Sequence, residues 1–259
     1  ALIRNPLTNS AGTPTSAIFG FANQVFQLIE EEKPDYLVAA FDSKGKNFRH
    51  EIFADYKANR SEMPDEIQTQ LPYLWTLLKG MNLPVLRVDG VEADDIIGTV
   101  ANKCSDSGLQ CNIVSGDKDF MQLCDDETVL LRPTKSEFLN KQRIVEQLGV
   151  HPTNMALARA IIGDSSDNLP GIKGAGFATV AKRLNFLSAE KSYTIQEVVE
   201  FCEKTNSKLK FFSNIVEGKG IIEHNYMMMQ LYAPQMSFQS KMVVKEAVEN
   251  FEHTFNKTE

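Results

Sequence analysis

Three short apolar runs, each followed by acidic residues, most limit how this chain can fold. They read YLVAAFD, LPVLRV and CNIVSGDKD, beginning at residues 36, 83 and 111. Segments with helical spacing of apolar residues separate them, so the alternation predicts an α/β fold with a mostly parallel central sheet and helices on both faces. In such sheets ligands bind beyond the carboxyl ends of the strands, where we expect the acids to meet.

The chain is long enough, at 259 residues with 42% hydrophobic content, to bury a substantial core. No apolar run approaches the roughly 20 residues needed to span a bilayer. We therefore expect a soluble, cytoplasmic protein without a membrane partner. Cys104, Cys111, Cys124 and Cys202 show no CxxC spacing, which argues against structural zinc or a disulfide framework and predicts reduced packing residues.

Two domains are predicted, because the alternation fades near residue 140. Residues 1–140 would form the α/β core and residues 141–259 a helical region. Within the second, ALARAIIGDSSDNLPGIKGAGFATVAKRL predicts a helical hairpin over about residues 154–186. Its turn holds Gly171, Lys173, Gly174 and Gly176, which suit a phosphate because glycines let backbone N–H groups approach an anion. The alternative is that the glycines only permit a tight interhelical turn.

Eight carboxylates are expected to converge, and they would raise one another's pKa unless cations compensate. An all-oxygen ligand set favours Mg²⁺ or Mn²⁺, and two or more such ions suit phosphodiester hydrolysis. A simpler alternative covers the three acids of GVEADDIIG, since acids in a helix's first turn complement its dipole. The eight are Asp42, Glu92, Asp94, Asp95, Asp117, Asp119, Asp164 and Asp167.

The formal net charge of -7 argues against broad electrostatic binding of nucleic acid, but residues 42–60 carry five cations and three acids. If this stretch is helical, Arg49, Phe53, Tyr56 and Arg60 lie along one stripe, with Lys57 at its edge. Alternating cations and aromatic rings suit single-stranded DNA. The alternative is a surface helix that docks the two rings into the core.

Four segments together resemble the 5′-nuclease family, which includes the 5′-3′ exonuclease domain of bacterial DNA polymerase I and stand-alone or phage flap endonucleases. They are FDSKGKNFRHEIFADYKANR, GVEADDIIGT, SGDKDFMQL and IIGDSSDNLPGIKGAGFATVAKRL. The resemblance implies a PIN-like, resolvase-like fold with a helix-hairpin-helix DNA-binding motif. It also implies a structure-specific metallonuclease that cuts DNA at 5′ flaps and 5′ ends during replication and repair, as a monomer, in a bacterial or phage-infected cell.

Site residues follow from the same resemblance. It implies one metal site at Asp42, Glu92, Asp94 and Asp95, and a second at Asp117, Asp119, Asp164 and Asp167. A helical arch over about residues 43–72 would hold Arg49, Phe53 and Tyr56 against DNA and Lys57 and Arg60 at the scissile phosphate. The GIKGAG turn would hold K⁺ through its backbone.

One departure concerns the start of the sequence. The family begins with a strand of the type LLIDG, whose aspartate joins the metal site, and this sequence starts at Ala1, after that strand should end. We expect an omitted N-terminal segment, since loss of a central strand would leave unpaired sheet edges. Two other functions stay open: a non-catalytic DNA-structure-binding relative, and a phosphatase or phosphotransferase, which would leave the hairpin and arch unexplained.

Overall fold

The structure, a computed structural model, describes residues 7–234 and 236–249. The chain forms two compact units. The described residues of the first unit are 7–41, 61–87 and 247–249, and those of the second are 42–60 and 88–246 without residue 235. Nowhere in the described residues does a helix combine the length and apolar character that crossing a bilayer requires.

Twelve α-helices and five strands are defined in the described residues. The helices are α1 Ser16–Glu32, α2 Phe48–Ile52, α3 Asp65–Gln68, α4 Leu71–Gly80, α5 Ala93–Asp106, α6 Lys141–Leu148, α7 Pro152–Ile162, α8 Phe177–Arg183, α9 Ile195–Lys204, α10 Lys210–Glu217, α11 Lys219–Met229 and α12 Phe238–Glu249. The strands are β1 Ala39–Ala40, β2 Val85–Leu86, β3 Cys111–Val114, β4 Thr128–Arg132 and β5 Glu137–Leu139.

In the first unit, α1 packs with α4 beside the parallel pair β1 and β2. Val25 and Leu78 are buried at this contact. The side chain of Gln70 accepts a hydrogen bond from the Ala17 N–H at 2.9 Å and so satisfies one of the free donors at the start of α1. The helix ends where Lys33 turns left-handed, at φ 47°, before Pro34.

In the second unit, three strands pair in the order β3, β4, β5 beneath a helical core. β3 and β4 are parallel, whereas β4 and β5 are antiparallel. Leu130, Leu139 and Ile144 are fully buried in one cluster with Met155 of α7. Residues on both sides of position 140 therefore share a core, and the predicted boundary there lies inside this compact unit.

All three predicted apolar runs contain a strand, but the single mostly parallel sheet is wrong in detail. The strands form two small sheets, one in each unit, and the β4–β5 hairpin was not predicted. The reason is that β5 has only three residues and is separated from β4 by the short 3-10 turn Pro133–Lys135 and Ser136, so no alternating pattern develops. The two predicted helical stretches of the hairpin are present as α7 and α8, on either side of the glycine-containing turn.

Candidate active site

The first turn of α5 holds a group of acidic side chains. The helix begins at Ala93, so Asp94 and Asp95 lie in its first turn, where the helix dipole favours negative charge. Asp42 reaches the same place, because its Oδ1 accepts a hydrogen bond from the Ala93 N–H at 2.8 Å. The helix dipole thus favours negative charge at Asp94 and Asp95, as the simpler alternative predicts. It does not exclude a metal site, because other acids lie close to this turn.

Asp95 pairs with a buried arginine. Its carboxylate is fully buried and accepts two hydrogen bonds from Arg49, from Nη1 at 2.7 Å and Nη2 at 2.8 Å. The Nε of Arg49 donates to the Met228 carbonyl at 2.8 Å. With both its oxygens engaged and no solvent contact, Asp95 is not arranged as a metal ligand, which revises the predicted ligand set.

Glu92 lies at the centre of a network of donors. Its Oε2 accepts from Arg49 Nη1 and from the Tyr56 hydroxyl, each at 3.2 Å, and its Oε1 lies 2.6 Å from Lys57 Nζ. Burial acts to raise the pKa of Glu92, but Lys57 and Arg49 outweigh it and leave the pKa below its usual range. Glu92 therefore stays ionised near neutral pH.

Asp94 has the opposite balance. Burial, followed by the charges of Asp117 and Glu92, raises the pKa of Asp94 to about 7, and Asp42 acts in the same direction. Lys57 is the cation that opposes them. This carboxylate therefore lies in an excess of negative charge that the protein's own cations do not neutralise.

A second group of acids surrounds Asp119. Burial and the charges of Asp117, Asp164 and Asp167 raise the pKa of Asp119 to about 6, against the opposing charge of Arg159. The Oδ1 of Asp119 is buried and accepts no hydrogen bond. Arg159 Nη2 lies 2.8 Å from this oxygen, an ion-pair distance, but its N–H groups do not point at it.

Arg159 is the functional residue that the sequence analysis missed. It projects from α7 and also pairs with Asp164, whose Oδ2 lies 2.5 Å from Nη2. Burial acts to raise the pKa of Asp164, but hydrogen bonds from Ser166 and Arg159 lower it below its usual range. The available signal was an arginine within the apolar run ALARAII, because a cation on an otherwise buried helix requires a partner.

The predicted arch helix ends early. α2 stops at Ile52, Phe53 is extended at φ -139°, and residues 54–59 form turns in which Lys57 has φ 57°. Asn47 caps the start of α2, and the chain leaves the helix after Ile52, where Phe53 packs on His224 and Tyr56 on Met228 of α11. The four predicted residues therefore do not share a helical stripe, and the helical arch over 43–72 is not present as one helix.

Both aromatic rings of this stretch are packed rather than free. Tyr56 is 4% exposed in a cluster with Leu169 and Met228. Phe53 meets the His224 ring edge-on, with centroids 5.3 Å apart. Tyr56 is thus docked into the core, as the alternative predicts, and Phe53 is partly buried beside it. Since Arg49 is also buried, these side chains do not line one exposed stripe.

The turn after Tyr56 is attached to the loop that carries Asp164 and Asp167. Arg60 pairs with the Asp167 carboxylate, and the Lys57 N–H donates to the Asp167 carbonyl at 3.2 Å. Asn59 adds a hydrogen bond to the Ser165 carbonyl at 2.6 Å. Lys57 and Arg60 consequently lie beside acids of both groups, Glu92 and Asp167.

Gly171 permits close packing within the turn between α7 and α8. A Cβ there would lie 1.7 Å from the Ile162 carbonyl oxygen, whereas Gly174 and Gly176 face open space. Gly171 thus fits the alternative of a tight interhelical turn. Lys173, Gly174 and Gly176 are exposed and remain available to an anion.

Gly171→Ala is expected to lower the free energy of unfolding by about 3 kcal/mol, because its new methyl group would displace backbone. Gly176→Ala provides the matched control and should cost about 1 kcal/mol at most, since its surroundings are open. Urea unfolding of both variants measures the difference. Equal stabilities would contradict the packing role of Gly171.

Seven of the eight predicted metal ligands thus lie in two neighbouring groups that share Asp117. In the described part of the chain, no three His, Cys, Asp or Glu side chains are placed closely enough to enclose a metal by themselves. Mg²⁺ nevertheless commonly takes one or two carboxylates and completes its shell with water. The unsatisfied oxygen of Asp119 and the uncompensated charge at Asp94 fit such an ion.

The chain is similar to several known proteins. Residues 1–149 match the family model described as 5′-3′ exonuclease, N-terminal resolvase-like domain. A 5′-3′ exonuclease of Aquifex aeolicus is 38% identical over 199 residues, which cover 77% of this chain and 67% of that protein. DNA polymerase I of Caldicellulosiruptor bescii is 36% identical over 210 residues, 79% of this chain but 24% of the polymerase. The chain spans about a quarter of that polymerase's length.

Two solved structures share the fold. The T5 5′-exonuclease with bound zinc has a TM-score of 0.73 at 17% identity, over 89% of this chain and 88% of that one. The bacteriophage T5 D15 flap endonuclease in a complex with DNA and metal ions gives 0.73 at 17% identity over 96% of both chains. Since the family model covers more than half of the sequence and a stand-alone relative shares 38% identity, this chain belongs to the 5′-3′ exonuclease family and has its resolvase-like 5′-nuclease fold.

Proposed function

We propose that this protein is a divalent-metal-dependent nuclease that hydrolyses DNA phosphodiester bonds at 5′ flaps, nicks and 5′ ends. The observation that carries the proposal is the gathering of seven carboxylates in two neighbouring groups that share Asp117, where the Oδ1 of Asp119 is buried and accepts no hydrogen bond. Family membership and the DNA-bound fold relative support it. The protein would act as a cytoplasmic monomer in DNA replication and repair.

The two acid groups would hold the metal ions. Asp42, Asp94 and Asp117 suit the first ion, and Asp119, Asp164 and Asp167 suit the second. Glu92 would join the first ion only after its Oε1 had released Lys57. Paired Mg²⁺ or Mn²⁺ ions, when bound, activate water and stabilise charge on the transferring phosphoryl group. Asp95 would act indirectly, by holding Arg49 against Glu92.

The protein's own cations would orient the substrate. Lys57 and Arg60 lie at the two acid groups, paired with Glu92 and Asp167. A phosphate entering between the groups would meet both side chains. Lys57 would then exchange Glu92 for the phosphate as its anionic partner. These residues therefore suit stabilisation of the scissile phosphate, where donors placed in advance act most strongly.

The turn between α7 and α8 would contact duplex backbone away from the cleaved bond. Lys173 and the open glycines 174 and 176 offer a cation and accessible backbone without any side chain suited to reading bases. Such contacts position DNA without specifying its sequence. Binding of K⁺ by the backbone of this turn is a further part of the proposal.

Cleavage of a 5′-flap duplex by the full-length protein tests the function. With Mg²⁺ we expect release of the flap, no release in EDTA, and at least about tenfold slower cleavage by Asp117→Asn. Binding measured in Ca²⁺ should be kept or strengthened in this variant, because it removes a negative charge from the DNA site. Equal loss of cleavage and binding would count against a metal role for Asp117.

A non-catalytic DNA-structure-binding relative is the alternative. The pairing of both Asp95 oxygens with Arg49 favours it, because that pairing occupies one expected ligand. Flap binding in Ca²⁺ without cleavage at any Mg²⁺ or Mn²⁺ concentration would establish this alternative and exclude the nuclease.

A further inference from the structure

We propose that Asn59 and Asn168 are positioning residues that together hold Lys57 in place for the cleavage reaction. This inference rests on the proposed function, because it takes Lys57 as the cation at the scissile phosphate. The Asn59 Nδ2 donates to the Ser165 carbonyl at 2.6 Å, and the Asn168 Nδ2 donates to the Asp55 carbonyl at 3.1 Å. Each asparagine thus binds the backbone of the segment that carries the other, and these two hydrogen bonds form the asparagine clasp.

The clasp joins two segments that are far apart in sequence but lie in the same compact unit. The turn formed by residues 55–60 carries Lys57, and the loop formed by residues 165–168 carries Asp167. Between the two asparagine contacts, the Lys57 N–H donates to the Asp167 carbonyl at 3.2 Å. The Arg60 side chain adds an ion pair to the Asp167 carboxylate. The backbone is therefore fixed to the loop before, at and after Lys57.

The backbone conformation of Lys57 explains why such fixing is needed. Its φ of 57° lies in the left-handed region, which a residue with a Cβ adopts only at a cost. Conformations of this kind persist where the surrounding structure imposes them. The clasp imposes this one, because it holds the chain two residues before Lys57, at the Asp55 carbonyl, and two residues after it, at Asn59. Without these contacts, we expect the turn to relax and the Lys57 Nζ to move.

The clasp leaves the Lys57 side chain able to change its partner. The Nζ lies 2.6 Å from Glu92 Oε1, and neither hydrogen bond of the clasp uses this side chain. The ammonium group could therefore pass from Glu92 to a phosphate while its backbone stays in place. Donors placed in advance stabilise developing charge most strongly. A displacement of about 1 Å can cost on the order of 100-fold in rate.

Exposure separates a positioning role from a folding role. Asn59 and Asn168 are exposed, and substitution of exposed side chains usually changes stability little. Asn102 provides a matched control, since its Nδ2 also donates to a distant backbone carbonyl, that of Tyr232, at 2.8 Å. Neither Asn102 nor Tyr232 belongs to the acid groups or to the two segments of the clasp.

Steady-state cleavage of a 5′-flap duplex in Mg²⁺ by the full-length protein tests the proposal. We expect Asn59→Ala and Asn168→Gly each to lower kcat at least about tenfold, with KM changed by about twofold at most. Glycine at position 168 removes the donor but accepts the left-handed conformation there, at φ 63°. The Tm of each variant should change by about 3 °C at most. Asn102→Ala should keep the kcat of the unmodified protein.

Two further measurements distinguish action through Lys57 from a general structural effect. In a Lys57→Ala background, Asn59→Ala should lower kcat no further, because residues that act as a unit are not additive. Amide hydrogen exchange, followed by NMR without DNA or metal, should show the Lys57 N–H exchanging about tenfold faster in Asn59→Ala and unchanged in Asn102→Ala.

The possible failures can be told apart. If the unmodified protein cleaves the flap but both clasp variants keep its kcat, the positioning role is wrong and the proposed function stands. A further tenfold loss of kcat when Asn59→Ala is added to Lys57→Ala would also overturn the proposal, as would unchanged exchange of the Lys57 N–H in Asn59→Ala. If the unmodified protein cleaves no flap, the proposed function fails and the positioning role fails with it.

Discussion

Asp95→Asn is expected to lower the free energy of unfolding by about 3 kcal/mol, and the adjacent Asp94→Asn is expected to leave it unchanged or raise it. Removing one partner of a buried ion pair strands the other charge, which commonly costs about 3–5 kcal/mol. Arg49 is 2% exposed and, among the described residues, would keep only Glu92, at 3.2 Å, as an anionic partner. Asp94→Asn instead removes a half-buried charge in acidic surroundings.

Urea unfolding in EDTA at neutral pH, followed by far-ultraviolet circular dichroism, gives both values. The two substitutions are chemically identical and one residue apart, so each controls for the other. Similar effects of the two would mean that the side chains share one environment, contrary to their different partners.

The positions of the acids could be predicted from the sequence because they depend on local patterns. An apolar run that ends in Asp42, or in the Asp117 segment, places carboxylates at strand ends by the covalent chain alone. The register of the first turn of α5 follows equally from the helical spacing after Ala93. Such features need no knowledge of any distant residue.

The partner of Asp95 could not be predicted in this way. Arg49 lies 46 positions earlier in the chain, and no periodicity indicates which cation a buried carboxylate will meet. The sequence pattern does not distinguish Asp94 from Asp95, although successive side chains of a helix point about 100° apart. The same limit hid Arg159, whose two partners come from different loops.

The end of α2 was missed for a related reason. Helical spacing from Arg49 to Arg60 is real in the sequence, but burial of Phe53 and Tyr56 against α11 and the ion pairs of Lys57 and Arg60 favour a turn instead. Tertiary contacts of this kind outweigh helix propensity, which amounts to at most about 1 kcal/mol per ordinary residue.

The stabilisation by Mg²⁺ is expected to be strongly pH-dependent. The folded-state pKa of Asp94 is raised from its usual 3.8 to about 7 by burial and neighbouring acids. Between these values the folded protein retains a proton that the unfolded chain has released, so stability falls as the pH rises, by about 4 kcal/mol in total for such a shift. Asp119, with its pKa at about 6, contributes in the same direction.

A bound cation offsets the loss of stability that ionisation of these carboxylates causes, and it does so only at a pH where they are ionised. We therefore expect Mg²⁺ to raise the Tm by on the order of 10 °C at pH 8 and by little at pH 5.5, measured by thermal unfolding against EDTA controls. His151 acts oppositely, since burial lowers its pKa and favours folding as the pH rises. Asp94→Asn leaves His151 in place. Without metal, the stability of this variant should therefore fall less towards pH 8 than that of the unmodified protein, and Mg²⁺ should raise its Tm by less. Equal Mg²⁺ stabilisation at both pH values would mean that the ion binds elsewhere than at Asp94.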